Sequence, residues 1–164
     1  MPPHLDTDDL RILQLLQQDC QVTNKEIAVK LGKSVTAIHE RKKNLEAAGV
    51  IQQYVAILNK DLIGKNLIAF TTVQIKEHSQ AALKGFMKEV IKFQEMMECY
   101  HLTGTFDFLL KIALQDMNEY NAFLINKLST LPNIGAVQSF FVLSEVKVGT
   151  AYPLPVPAPI RKRG

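Results

Sequence analysis

Apolar residues recur at helical spacing over residues 7–18. Leu10, Leu13 and Leu16 fall three apart, and Ile12 and Leu15 widen the face. This pattern predicts an amphipathic helix against a core, with Asp8 and Asp9 at the positive end of its dipole. The stretch TNKEIAVKLG (23–32) opens on a capping pair, Thr23 with Glu26, and closes on Gly32. Ile27, Ala28 and Leu31 give this second helix a buried side. Ser34 can cap a third helix that runs to about Ala48 and stops at Gly49. Its stripe is Val35, Ile38 and Leu45, but the slot between Ile38 and Leu45 holds Lys42. Three helices with a tight glycine-containing turn have the outline of a helix-turn-helix. VIQQYVAIL (50–58) has β character, suited to a small wing or a strand leading out. NKDLIGKN (59–66) reads as a hinge.

Beyond the hinge the pattern alternates. Residues 67–76 are rich in β-branched and aromatic side chains and predict a strand. Residues 79–93 put Leu83, Phe86, Met87, Val90 and Phe93 on one helical face. MECYHLTG (97–104) and TFDFLLKIAL (105–114) predict two strands meeting at Gly104. Tyr120, Phe123, Leu124, Leu128 and Leu131 then fall in helical register, and GAVQSFFVLSEVKV (135–148) predicts the last strand. The fold class is therefore α+β: a winged helix-turn-helix, then a ferredoxin-like βαββαβ sandwich with both helices on one sheet face. The predicted domains are 1–63, 64–150 and a proline-rich basic tail, 151–164.

The far sheet face of such a sandwich should be mostly polar. Yet the last strand is apolar on both phases: Ala136, Phe140, Val142 and Val146 on one, Val137, Phe141 and Leu143 on the other. An apolar face of that size needs a cover, and a second copy of the chain is the simplest one. The sequence thus predicts an obligate homodimer through the second domain.

Composition narrows the class. The chain has 164 residues, 47% of them hydrophobic and 21% charged. No segment approaches the ~18 uninterrupted apolar residues of a membrane span, and MPPHLDTDDL lacks the basic start and apolar core of a signal peptide. Cys20 and Cys99 suggest no disulfide framework. These features predict a cytoplasmic protein without membrane contact. The charge is uneven. Residues 4–19 hold four aspartates against Arg11, whereas residues 25–43 hold six lysines and arginines against Glu26 and Glu40. Arg161, Lys162 and Arg163 form a third, basic block. A basic patch on one element suits a polyanion.

With Ile38 at the centre of the buried stripe, Thr36, Glu40, Lys43 and Ala47 fall on the opposite side of the third helix, flanked by Ala37 and Asn44. A face that is small and polar at its start, then bears a cation and an amide, suits a DNA major groove. Thr36 and Ala37 can meet a thymine methyl, Glu40 a cytosine amine, and Lys43 and Asn44 base edges or phosphates. The plainer alternative is a solvated helix face. Other chemistry finds little support. Cys99 and His101 lie two apart on a strand, but no second pair completes a metal site. No phosphate loop or nucleophile elbow is present. No catalytic residue, metal or cofactor is predicted.

The segments LDTDDLRILQLLQQD (5–19), NKEIAVKLGKS (24–34) and RKKNLEAAGVIQQYVAILN (41–59) resemble the amino-terminal domain of the Lrp/AsnC (feast/famine) transcription regulators. CYHLTGTFDFLLKIALQDMNEYNAFLINKLSTLPNIGAVQSFFVL (99–143) resembles their effector-binding sandwich. Arg41, Leu45 and Gly49–Val50–Ile51 match the family's R…L…GVI positions. Lys33 and Lys42 depart from the pattern, where apolar residues are usual. The resemblance implies a sequence-specific regulator of transcription that binds double-stranded DNA through Ser34, Thr36, Ala37, Glu40, Arg41, Lys43 and Asn44. It implies an amino-acid effector, and dimers assembling into a ring, often of four, hence an octamer. The effector site it implies comprises Tyr100, Gly104, Thr105, Asp107 and Ser139, between dimers. There Gly104 would expose amides to a ligand carboxylate and Asp107 would receive the ammonium. Asp107 could instead simply satisfy local backbone amides. The rival reading is an Lrp-like sirohaem decarboxylase, with His101 and Asp107 as the suspect pair; Gln52 and Gln53 stand where that family favours arginines.

Overall fold

The computed structural model describes residues 3–155. It divides into two units. One runs to Ala56 and takes in the chain again from Lys147; the other spans Ile57–Val146. The sequence boundary near residue 64 thus falls a few residues inside the second unit, and residues 147–155 go with the first. The basic block Arg161–Arg163 lies outside the described residues.

The first unit is three helices: α1 (Thr7–Gln18), α2 (Asn24–Leu31) and α3 (Val35–Ala47). Each starts on a side-chain cap. Asp6 and Asp9 cap α1 reciprocally, the Asp9 N–H donating to Asp6 Oδ1 at 2.8 Å and the Asp6 N–H to Asp9 Oδ2 at 3.1 Å. Thr23 and Glu26 do the same for α2. Ser34 Oγ accepts the Ala37 N–H at 3.1 Å to open α3. Gly32 ends α2 with φ of 64°, a left-handed geometry that favours glycine. Ile12, Leu16, Ile27, Ala28, Ile38 and Leu45 form the core, flanked by Leu13, Leu31, Val50 and Ile51.

The predicted β-segment 50–58 is not a strand, and among the described residues of this unit no wing strand follows α3. With no neighbouring strand to pair with, its β-rich composition has no ladder to join. Instead Tyr54 folds back on α3. Its hydroxyl donates to Glu46 Oε1 at 2.8 Å, and Lys42 Nζ lies 5.7 Å from the ring centroid. Burial and the Glu46 carboxylate push the Tyr54 hydroxyl up to about 12. Lys42 therefore occupies its apolar slot by running its stem along the seam and placing the ammonium over an aromatic face. The returning segment is pinned at Tyr152, whose N–H donates to Gln17 Oε1 at 2.7 Å and whose carbonyl accepts from Gln17 Nε2 at 3.1 Å.

The second unit is an antiparallel sheet with two helices: β1 (Leu67–Ile75), α4 (Gln80–Val90), β2 (Met96–His101), β3 (Phe108–Leu114), α5 (Met117–Asn126) and β4 (Ile134–Phe141). The strand order β2-β3-β1-β4 is the predicted ferredoxin-like one. One sheet face, carrying Ala69, Val73, Ile75, Phe108, Leu110, Ile112 and Leu114, packs on Phe86 and Val90 of α4, Tyr120 and Phe123 of α5, and Leu128. Alternation puts Phe70, Thr72, Leu109, Lys111, Tyr100 and Phe140 on the other face.

Two strand ends differ from the sequence pattern. β3 begins at Phe108 and β4 ends at Phe141, so Leu143 and Val146 are 100% and 97% exposed. The last bond of that ladder runs from Val142 N to Ile68 O at 3.0 Å. Since β1 starts at Leu67, β4 has no partner beyond this point. The apolar excess on the far face therefore comes from Phe140 and its neighbours on β1, β2 and β3, not from residues 143–148.

Phe108 is fully buried, its ring 4.5 Å from that of Phe86. Phe108→Ala should cost about 3–5 kcal/mol of stability in the second unit. Urea denaturation followed at the sandwich aromatics measures this; a loss under about 1 kcal/mol would mean the core is organised around other residues.

Candidate nucleic-acid interface and effector site

On α3 the buried side is held by Ile38 and Leu45, leaving Ser34, Thr36, His39, Glu40, Lys43 and Asn44 exposed and Ala37 half-buried. Six of the seven DNA residues expected from the sequence thus share one accessible helix. The seventh, Arg41, turns the other way. Its Nη1 meets Asp6 Oδ2 and Asp9 Oδ1, both at 2.7 Å, and its Nη2 lies 3.8 Å from Asp8. Lys33 pairs with Asp8 at 2.6 Å. The acidic start of the chain and part of the basic block are therefore one charge cluster. Two of the cations that made residues 25–43 look basic are used inside the unit.

The electrostatics of this cluster follow from its contacts. The Asp9 N–H lowers the Asp6 carboxyl most; burial opposes it, and the Arg41 guanidinium adds enough to keep the carboxyl below its ordinary value. Asp6 and Asp9 raise Arg41 in turn. The exposed cations on this unit include Lys25 and Lys30 on α2 and Lys43 on α3. The α2 pair sits beside exposed Val29 and was not singled out in the sequence. A five-residue step turns the helix by about 140°, so the two lysines flank the stripe of Ile27 and Ala28 from opposite sides.

In the sandwich the expected effector residues separate into three groups. Asp107 sits where the β2–β3 loop meets the end of β1. Its Oδ2 accepts the Ile75 N–H at 2.7 Å, and its Oδ1 receives His78 Nε2–H at 2.8 Å. The loop is closed by the Leu102 N–H donating to the Asp107 carbonyl at 2.7 Å. Within it Gly104 has φ of 120°, a value that favours glycine, and Gly104 and Thr105 are exposed. Among the described residues, none accepts a hydrogen bond from the backbone N–H groups of residues 103–106. Burial pushes the Asp107 carboxyl upward, but the Ile75 N–H, His78 and the nearby His101 together hold it below its ordinary value.

Ser139 lies elsewhere. It stands opposite Thr71 on β1, on the helix-packed face, in a three-hydroxyl cluster with Thr71 and Tyr120. Phe141 stacks edge-on against Tyr120 at 5.0 Å. Tyr100 is paired with Leu109 on the opposite sheet face, where its hydroxyl donates to Glu98, itself bridged to Lys111 at 2.8 Å. Within one chain, then, Asp107, Gly104 and Thr105 share a loop, whereas Ser139 and Tyr100 face opposite sides of the sheet. His78 is the residue that sequence reading missed. His101, the suspected partner of Asp107, stacks on Phe108 at 4.8 Å instead. Among the described residues no group of three or more His, Cys, Asp and Glu could hold a metal, and no helix is long and apolar enough to cross a membrane.

Comparison with known proteins covers both units. Residues 5–52 match a family described as winged helix-turn-helix DNA-binding, and residues 68–152 match the Lrp/AsnC ligand binding domain. The chain is 37% identical over 151 residues to the glutamate uptake regulatory protein of Zymomonas mobilis, covering 92% of each chain. It is 33% identical over 150 residues to the transcriptional regulator AzlB of Bacillus subtilis, covering 92% of this chain and 96% of that one. Among solved structures it is similar to a transcriptional regulator from Neisseria meningitidis in complex with L-Met, with a TM-score of 0.89 and 36% identity. That match covers 93% of this chain and 98% of the other.

The cluster around Arg41 makes a stability prediction with a definite sign. Arg41→Ala should lower the stability of the helical unit at pH 7 by about 1 kcal/mol, the scale of a partly exposed ion pair. A carboxyl whose folded value is depressed stabilises the fold above its unfolded value and loses that contribution as pH falls through the folded one. The gap between parent and variant should therefore close as the pH drops below about 4. Thermal melts by circular dichroism at pH 7 and pH 3 measure it. Equal stability at pH 7 would leave Arg41 free to act on DNA directly.

Proposed function

The chain belongs to the Lrp/AsnC family of transcription regulators, and from that premise we propose how its two units divide the work. It is a DNA-binding transcriptional regulator with a ligand-binding domain. We infer that Thr36, Ala37, Glu40, Lys43 and Asn44 read the major groove of double-stranded DNA, with Ser34 setting the start of the helix. Arg41 holds α3 against α1, so its contribution to DNA binding is made through helix position. The observation that supports this reading is the accessible face of α3, which carries the donor, acceptor and small residues that base edges require.

The effector is an amino acid bound at the loop around Asp107, in this proposal. The carboxylate offers a seat for an α-ammonium, and the unengaged amides of residues 103–106 offer donors to an α-carboxylate. The relative solved with L-Met supports this ligand class. Tyr100 and Ser139 face opposite sides of the sheet within one chain, and a pocket formed between dimers would bring them to the site from another copy. The exposed Phe140 and Tyr100 on the sheet face away from the helices support a homodimer, assembling further to an octamer. The location is cytoplasmic. No observation favours sirohaem chemistry: His101, the suspected partner of Asp107, stacks on Phe108, and the relatives named above are regulators.

Three measurements test this. Lys43→Ala should weaken binding to operator-containing DNA evenly across sequences and make the salt slope shallower by about one unit. Glu40→Ala should change which sequences are preferred, by about 1–3 kcal/mol at one base pair. If both variants bind as tightly and as selectively as the parent, α3 is not the reader. A thermal-shift screen of the twenty amino acids should find a stabilising ligand, whose binding Asp107→Ala abolishes while circular dichroism stays unchanged. Sedimentation of the full chain at micromolar concentration should show a dimer or larger; a monomer would overturn the assembly.

A further inference from the structure

The seat offered to the effector ammonium is already taken. His78 Nε2 lies 2.8 Å from Asp107 Oδ1, while Asp107 Oδ2 is committed to the Ile75 N–H at 2.7 Å. The two oxygens are not equivalent. The bond to Ile75 closes the end of β1 and cannot be given up without freeing a strand amide. The bond to His78 comes from an exposed side chain, 57% accessible, in the segment between β1 and α4, against 14% for Asp107. A solvated imidazole can swing away from its partner at low cost. Oδ1 is thus the oxygen that a ligand can claim, and His78 is the group it must displace.

We propose that His78 is a built-in competitor for the effector's ammonium, so that the regulator binds its amino acid more weakly as His78 becomes charged. The proposal rests on Asp107 being the ammonium seat. An imidazolium placed on the carboxylate presents the same chemistry as a primary ammonium: a cationic N–H donor at hydrogen-bond distance. The site therefore selects for ligands with a free, charged amine and rejects N-acylated or deaminated analogues, which cannot exchange with it.

The charges around the pair make His78 the one that matters. The cationic groups acting on Asp107 are His78 and, at longer range, His101 from β2, which is held by stacking on Phe108. Lys76 and Glu77 precede His78 on its own segment, and Ser79, which follows it, caps α4 by accepting the Ala82 N–H at 3.2 Å. Asp107 is held below its ordinary value and so stays ionised through the neutral range. An amino acid keeps its α-ammonium there too. Between pH 6 and 8 histidine is the side chain that changes charge. The sign follows: lowering the pH charges His78, strengthens its hold on Oδ1 and weakens ligand binding.

The test uses the full chain and isothermal calorimetry with L-methionine at pH 6 and pH 8. The parent should bind more weakly at pH 6. His78→Ala should bind about two- to fivefold more tightly than the parent at pH 6, the scale of one exposed ion pair, and should lose most of the pH dependence. His101→Gln should keep it. N-acetyl-L-methionine should not bind. A ligand-independent readout accompanies these: the NMR ring signals of His78 should differ between the parent and Asp107→Asn, since the contact to Asp107 holds the ring. Weaker binding by His78→Ala, or an unchanged pH dependence in it, would overturn the competitor role while loss of binding in Asp107→Asn kept the site. Unchanged binding in Asp107→Asn, or no amine-dependent binding by the parent, would overturn the site reading and the competitor with it.

Discussion

Each unit is closed by a partly buried carboxylate with one partner 32 residues away. Asp9 reaches Arg41 across 32 positions, and Asp107 reaches the Ile75 amide across another 32. A carboxylate withdrawn from water needs donors on its oxygens or its burial becomes costly. That requirement sets geometry. In the helical unit it fixes the angle of α3 to the start of α1, and so the direction in which Thr36, Glu40 and Lys43 face. In the sandwich it ties the β2–β3 loop to the end of β1 and places an acidic atom at the rim of the sheet. The orientation of α3 and the position of the β2–β3 loop are both by-products of satisfying an acid.

The same constraint explains how charge is used along the chain. The basic stretch around α3 looks like a uniform cationic surface, but Lys33 and Arg41 serve the acids of α1 and Lys42 lies over Tyr54. What faces outward is a mixed set, with one acid, one amide and few cations. Selective reading of base edges gains from such a set, because phosphate attraction alone carries no sequence information.

Much of this architecture was legible from local signals. The caps at Thr23 and Ser34, the stop at Gly32 and the βαββαβ order are each written within a few residues, and the structure keeps them. What was hidden depends on pairing at a distance. The end of β4 at Phe141 follows from where β1 begins, which no pattern inside residues 135–148 reveals. The VIQQYVAIL segment has strand composition but no neighbour to pair with. Ser139 and Tyr100 fell on opposite faces because the registers against β1 and β3 put them there. Asp107 was found by its isolation in an apolar run, whereas His78, 29 residues earlier, carries no local sign of the bond it makes.

The clasp between Gln17 and Tyr152 has a consequence for the order in which the molecule is made. The three helices leave the ribosome before the sandwich and can form early, since their capping contacts are local. Gln17 meets Tyr152 only 135 residues later, after every strand of the sandwich has emerged. The helical unit is thus begun first and finished last, with the whole second unit looped out between. A nascent chain can display a folded trio of helices, but this hydrogen-bonded clasp can form only after the strands of the sandwich have been made.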